Sequence, residues 1–400
     1  MSALHAFRAL RPDPAAATRV ASVPYDVVNT EEARALATSN PLSFLHVTRS
    51  EIDLPPGVDP YSDRVYAQAV RNFEELKRAA PMVIDDQPSL YFYRLRMGAH
   101  EQTGLAGCFS LDEYDSGRIK KHEHTRKDKE DDRTRHITEL RAQTGVVFLT
   151  YRASAAIDAV AASVTARAPL YEFVADDGIG HAVWRVSGGD VLALEQAFAA
   201  LPALYIADGH HRAASAARAR STIRSGEAGT FVAVAFPDAE VQILPYNRTV
   251  KDLAGRTPES LLAAIGAIAE IEPGTSAPAR RGDVSMFLGR AWHRITLPPC
   301  KAGTPRADAL DVAVLQREIL EPLLKVGDPR TDRRIDFVGG ARGTAELERL
   351  VSSGKAAVAF SLAPVSVDDL MAISDTGGIM PPKSTWFEPK LRDGLIVHLI

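Results

Sequence analysis

The sequence is poor in cysteine, with only Cys108 and Cys300 among its 400 residues, and it has no Cys-x-x-Cys pair. That excludes a disulfide framework and a cysteine-built zinc site, and it fits a reducing compartment. No run of apolar residues approaches the ~18 needed to span a bilayer, so no membrane contact is expected. Neither charge sign dominates: 47 Lys and Arg stand against 51 Asp and Glu, a net charge of −4. A dedicated nucleic-acid binder normally carries a basic face, so nucleic acid is not an expected partner. The opening stretch "MSALHAFRALRPDP" breaks every apolar run with polar residues and prolines, unlike a signal peptide. A cytoplasmic protein is the expectation.

The chain is 46% hydrophobic and 24% charged, enough to bury a sizeable core, and its length allows two domains. Buried strands are predicted at 89–97, 145–151, 203–208, 230–237 and 241–246. Helical spacing is read in 60–80, in "VLALEQAFAAL" and in "HRAASAARARSTI". Strands and helices mix without a regular βαβ rhythm, so the fold class is α+β, mixed α/β, rather than a doubly wound sheet. The Pro- and Gly-rich stretch 271–284 reads as a linker or long surface loop. It separates an expected catalytic region, 1–270, from a C-terminal α/β lobe, 283–400, expected to close the cleft. That lobe contains a strand pair at "VSMFLGRAWHRITL" and a helix at "DVAVLQREILEPLL".

Chemistry concentrates in three stretches. In "YIADGHHRAASAARAR" (205–220) an apolar strand runs into Asp208 and Gly209, and a helix follows at once. His210, His211 and Arg212 then occupy the first helical turn, where unpaired N–H groups and the helix dipole attract anions. Gly209 allows a sharp turn or a close ligand. Asp208 can hold a divalent ion or accept a proton, and Arg212 can clamp phosphate. Taken singly, these residues also fit a helix cap and surface polarity.

The second stretch, 118–145, is too charged for core, and its "KEDDRTRH" part reads as a salt-bridged helix with Arg133 turned inward. Within "KHEHT", His122, Glu123 and His124 can offer a general base or metal ligands. The spacing is not His-Glu-x-x-His, which excludes a zincin. The third stretch, "MPPKSTWFEPK" (380–390), presents Lys383, Ser384 and Thr385 between prolines and aromatics. Pro382 replaces the glycine of a phosphate loop, so a Walker motif is excluded. Trp386 and Phe387 also fit plain core. Two weaker signals are "ASVPYDVVNTEEARAL" (21–36), with a cap at Asn29 or Thr30, and "LPYNRTVKDL" (244–253), with Asn247 and Arg248 at a strand end.

Together "ASVPYDVV", "TGLAGCFSLDEYDSGRIKKHEHT", "YIADGHHRAASA", "ILPYNRTVKDL" and "MPPKSTWFEPKL" resemble, in order and over nearly the whole chain, the domain-of-unknown-function family numbered 1015. Locally, "DGHHRAA" and "KHEHT" are similar to the Asp-Gly-His-His-Arg and Pro-His-Glu motifs of free L-serine kinases on a ParB/sulfiredoxin-like fold. Those enzymes phosphorylate the hydroxyl of serine at the expense of ADP or ATP. The resemblance implies Glu123 as catalytic base, with Asp208 and His210 also catalytic and Mg²⁺ near Asp208. It implies His211 and Arg212 at the nucleotide phosphates; Gly209, Lys383, Ser384 and Thr385 are expected beside them, and His122, Thr125, Asn247 and Arg248 at the substrate, from the residue chemistry above. Lys121 stands where that motif has proline, and Ala213 where it has tryptophan, so a different acceptor is allowed. The expected partners are a small-molecule substrate and a nucleotide, and a homodimer is a possible state. Two other readings stay open: a nucleotide-binding regulatory switch of ParB-like type, and a metal-dependent phosphatase using His210 and His211.

Overall fold

The computed structural model describes residues 3–79, 81–224 and 226–400. The chain forms two compact units, Met1–Val241 with Pro389–Ile400, and Gln242–Glu388. They divide at Val241/Gln242, not at the stretch 271–284. That stretch instead joins the strands Glu270–Pro273 and Asp283–Leu288, which flank a common antiparallel partner, Ala291–Thr296. The hydrogen-bonded ladders on both sides make it a loop inside one sheet. The final segment also differs from the expected lobe, because Pro389–Ile400 returns to the first unit.

The fold is α+β. The main sheet of the first unit runs Ile119–Lys120, Leu204–Asp208, Val147–Tyr151, Thr230–Pro237, His100–Ser110, Leu90–Met97, Gly180–Val186, Tyr171–Val174, with Leu4–His5 also paired to His100–Ser110. Two of its pairings are parallel and the others antiparallel. Four of the five predicted strands fall in this sheet. Near-continuous apolar runs form them because side chains from both faces are buried, and Phe92, Leu149, Ile206 and Phe231 pack into one core with Leu194, Phe198 and Ala213. The predicted helix at 60–80 spans Asp63–Ala79, and its Phe73 and Leu76 pack on Phe44, Leu140 and Val397 in a separate core.

The fifth predicted strand, 241–246, is split. Ile243–Leu244 and Tyr246–Val250 are distinct strands, with Pro245 between them unable to donate to a ladder. Tyr246–Val250 joins the antiparallel sheet of the second unit, ordered Glu270–Pro273, Ala291–Thr296, Asp283–Leu288, Val358–Leu362, Tyr246–Val250, Ile335–Gly339. Among the described residues no helix is long and apolar enough to cross a membrane.

The longest strand of the main sheet, His100–Ser110, is not among those predicted, and it contains Gly104 and Gly107, a residue type that weakens a strand pattern. Both mark close packing instead. A Cβ on Gly107 would lie 2.4 Å from Leu4 Cδ1 and 2.7 Å from Leu90 Cδ2. Gly107→Ala is therefore expected to overpack the core and cost ~1–3 kcal/mol, read as a lower urea midpoint. An unchanged midpoint would mean that the two leucines rotate aside freely.

Candidate active site

The site is assembled by one short pairing. Ile119–Lys120 lies parallel to Leu204–Asp208, with Leu204 opposite Ile119 and Tyr205 opposite Lys120. Parallel strands leave a sheet at the same end. The "KHEHT" loop after the first strand therefore emerges beside the helix start after the second. At the end of Leu204–Asp208 the ladder to Val147–Tyr151 shifts register, and Gly209 takes φ +97°. A side chain there would be strained and would also meet Arg212 Nε at 3.0 Å. The helix His210–Ile223 begins immediately, as the sequence predicts.

His122 and His210, 88 residues apart in sequence, are both buried, and their rings meet edge to face at 4.4 Å. The His122 N–H donates to His210 Nε2 over a long 3.4 Å. Burial drives both imidazoles toward the neutral form, outweighing the attraction of the Asp208 carboxylate, and takes His122 down to about 4. Next along the loop, Arg126 N–H donates to His211 Nε2 at 3.0 Å, and Thr125 Oγ1 donates to the Glu130 carboxylate. Glu123 and His124 are exposed. The charged stretch forms the helix Lys127–Leu140, which is tied to His210–Ile223 by Ser215 Oγ on Glu130 O at 3.2 Å and Arg218 on Asp131 at 2.6 Å. Arg133 does turn inward, pairing with Asp132 at 2.8 Å and lying over the Tyr25 ring at 4.3 Å.

Asp208 sits between two cations. Its Oδ2 accepts from Lys390 Nζ at 2.9 Å, and its Oδ1 lies 3.5 Å from Arg212 Nη2. Burial alone would raise its pKa, but Lys390 and Arg212 override that and hold the carboxyl well below the usual range. Arg212 also faces Asp26 at 3.4 Å and donates to the Val146 carbonyl. Asp393 completes the group: it is 1% exposed, its Oδ2 has no hydrogen-bond partner, and burial pushes its pKa up to about 7 despite Arg212. Tyr25 and Arg133 also border a cavity of about 230 Å³ whose lining includes Thr48, Arg49, Glu51 and Lys129.

Asp26, Lys390 and Asp393 are the site residues that sequence reasoning passed over. Asp26 lies in "VPYD" and Lys390 in "FEPK", both inside stretches that the sequence analysis singles out for other residues. The adjacent prolines drew attention to Lys383 instead. Lys383, Ser384 and Thr385, together with Asn247 and Arg248, belong to the second unit. There the buried Arg248 donates to the carbonyls of Lys383 at 2.9 Å and Pro382 at 3.4 Å, Asn247 Oδ1 accepts from Leu362 N–H at 3.2 Å, and Ser384 Oγ donates to the Pro381 carbonyl. Lys383 is exposed and has a left-handed backbone, φ +57°. Trp386 and Phe387 form a strand with Ile243–Leu244, and Phe387 is core.

The Asp393 carboxyl gives a signed pH dependence. A raised pKa means that the folded protein holds this proton more tightly than the unfolded chain does, so stability falls as pH rises from about 4 to about 7. Asp393→Asn should remove that loss. Its advantage over the parent is expected to be small near pH 4 and to reach a few kcal/mol by about pH 8, at ~1.4 kcal/mol per pH unit across the window. Urea midpoints of both proteins at the two pH values measure it, and parallel pH profiles would assign the dependence to other groups.

Solved structures similar to this chain include three examples. A conserved hypothetical protein from Pyrococcus furiosus is 14% identical, with 74% of this chain and 95% of that one covered and a TM-score of 0.36. SbnI with a C-terminal truncation from Staphylococcus aureus is 13% identical, with 74% and 87% covered and a TM-score of 0.41. A free serine kinase in complex with AMP is 14% identical, with 74% and 92% covered and a TM-score of 0.38. No protein of curated function matches the chain. The sequence profile described as Protein of unknown function (DUF1015) matches residues 4–313, and on that match this chain belongs to the DUF1015 family.

Proposed function

We propose that this protein is a kinase of a small hydroxylated metabolite, with free L-serine as acceptor and ATP or ADP as phosphate donor. The observation that carries the reading is the meeting of the Glu123 loop with the first turn of His210–Ile223 through the parallel pairing. It joins a carboxylate able to take a proton to a helix end suited to bind phosphate. The choice of serine rests on the similarity of "KHEHT" and "DGHHRAA" to the free L-serine kinase motifs.

In this reading the nucleotide phosphates lie against the N–H groups of the first helical turn, which have no partner within the helix. Gly209 keeps that approach free of a side chain. Arg212 and Lys390 supply positive charge, and Asp208 holds both in place. Glu123 removes the acceptor's hydroxyl proton while the new oxygen–phosphorus bond forms. The bond between the transferred phosphorus and the nucleotide oxygen breaks, and the nucleotide leaves one phosphate shorter. The cavity also holds Arg49 and Glu51, which pair with each other at 3.0 Å; an acceptor carrying a carboxylate and an ammonium group would have to part them to meet both charges.

Mg²⁺, when bound, would neutralise phosphate charge. Asp208 does not fit as its ligand, because each of its oxygens already faces a cation.

Two variants test the mechanism. Glu123→Gln is expected to lower product formation by ~10²–10⁴-fold while nucleotide still binds and the melting temperature barely moves. Full activity in that variant would remove Glu123 from the chemistry. Asp208→Asn is expected to fold and to lower turnover by at least ~100-fold, the scale of a single electrostatic group in such transfers. Nucleotide consumption across a panel of amino acids and polyols tests the acceptor, and no dependence on any of them would overturn the kinase reading.

A further inference from the structure

We infer that His122, Glu123 and His210 form a binding site for a divalent transition-metal ion. One ligand atom from each of the three lies within 4.8 Å of the other two. The site is that of the protein without nucleotide and does not depend on the kinase reading; a Glu123 carboxylate bound to the ion would not at the same time take a proton from an acceptor, so metal occupancy and that step exclude each other.

The second observation is the state of His122. Its side chain is buried, at 2% exposure, and neither Nδ1 nor Nε2 has a hydrogen-bond partner. A buried imidazole normally satisfies at least one nitrogen, because an unpaired polar atom away from water is costly. A metal ion satisfies the ring through a lone pair and needs no further donor or acceptor at that nitrogen. His210 contributes from the helix start and His122 from the loop, so the parallel pairing fixes both.

The donor set selects the ion. Two imidazoles and one carboxylate suit zinc, cobalt, nickel, manganese or iron(II), whereas Mg²⁺ and Ca²⁺ prefer an all-oxygen shell. Tetrahedral bonds of about 2.0–2.2 Å place donor atoms roughly 3.4 Å apart, so the triad must contract. Glu123 is exposed and lies on the loop after Ile119–Lys120, so a change of its side-chain rotamer can bring the carboxylate toward the two rings. The long His122 N–H contact to His210 Nε2, 3.4 Å, is readily exchanged for a metal bond. Three protein ligands leave a coordination position open for water or a substrate oxygen, as in catalytic rather than structural sites. His124, exposed and outside the triad, is excluded as a ligand, although its position in "KHEHT" makes it a candidate by sequence.

Cobalt(II) titration of the chelator-treated full chain tests the inference, since ligand-field absorption in the visible reports imidazole coordination without nucleotide or turnover. One equivalent is expected to bind and to be displaced by zinc. His122→Ala and His210→Ala should each weaken cobalt binding by at least ~100-fold, because even outer-shell changes cost 10–100-fold. Glu123→Gln, at an exposed position, keeps the test valid if a histidine variant fails to fold, and it should also weaken binding and alter the spectrum. His124→Ala should leave affinity unchanged. Absence of the absorption in the parent, or equal cobalt affinity in the parent and Glu123→Gln, would overturn the site. Neither result bears on whether a kinase acceptor exists, so the two proposals fail separately.

Discussion

The site depends on a parallel pairing of two residue pairs, Ile119 with Leu204 and Lys120 with Tyr205. A ladder this short contributes little stability by itself. Its effect is directional: it makes two chain segments distant in sequence leave one sheet edge side by side. Everything downstream, from the edge-to-face histidines to the Arg126 contact with His211, follows from that shared exit. The contacts between Lys127–Leu140 and His210–Ile223 then hold the two segments together beyond the sheet.

Around that junction the protein gathers charge of both signs about the buried Arg212. Arg212 lies between Asp26 and Asp208, Lys390 faces Asp208, and Asp393 sits close enough to feel Arg212. Removing one partner from such a set leaves an uncompensated buried charge, which costs more than the intact pair contributes. If the site takes an anion as proposed, stability and recognition are coupled, because the same cations neutralise the protein's own carboxylates.

Much of this was legible in the sequence. The apolar run into Asp208-Gly209 and the alanine-rich turn after it specify a strand, a left-handed glycine and a helix by local rules alone. The inward Arg133 and the cap at Asn29, which accepts from Glu32 N–H at 2.9 Å, are equally local. What escaped is non-local. Ile119–Lys120 is too short to show a period, and the glycines of His100–Ser110 hide a strand whose neighbours press against its backbone. The choice of Lys383 over Lys390 failed to anticipate the Asp208 contact for the same reason. Proline density reports rigidity near a residue, whereas a charge partner is set by tertiary return of the chain.

That return has a consequence for biosynthesis. Ser22 pairs with Asp393, Leu10 with Val397, and Ala142–Gln143 with His398–Leu399, so early segments of the first unit wait for partners made after the whole of Gln242–Glu388. During translation the first unit would emerge with Asp208 lacking Lys390 and with Leu10 lacking its ladder. The site can reach its final form only after the ribosome has delivered the other unit, and a chain clipped before Pro389 would lack the Lys390 partner of Asp208 and the strand partners of Leu10 and Ser22.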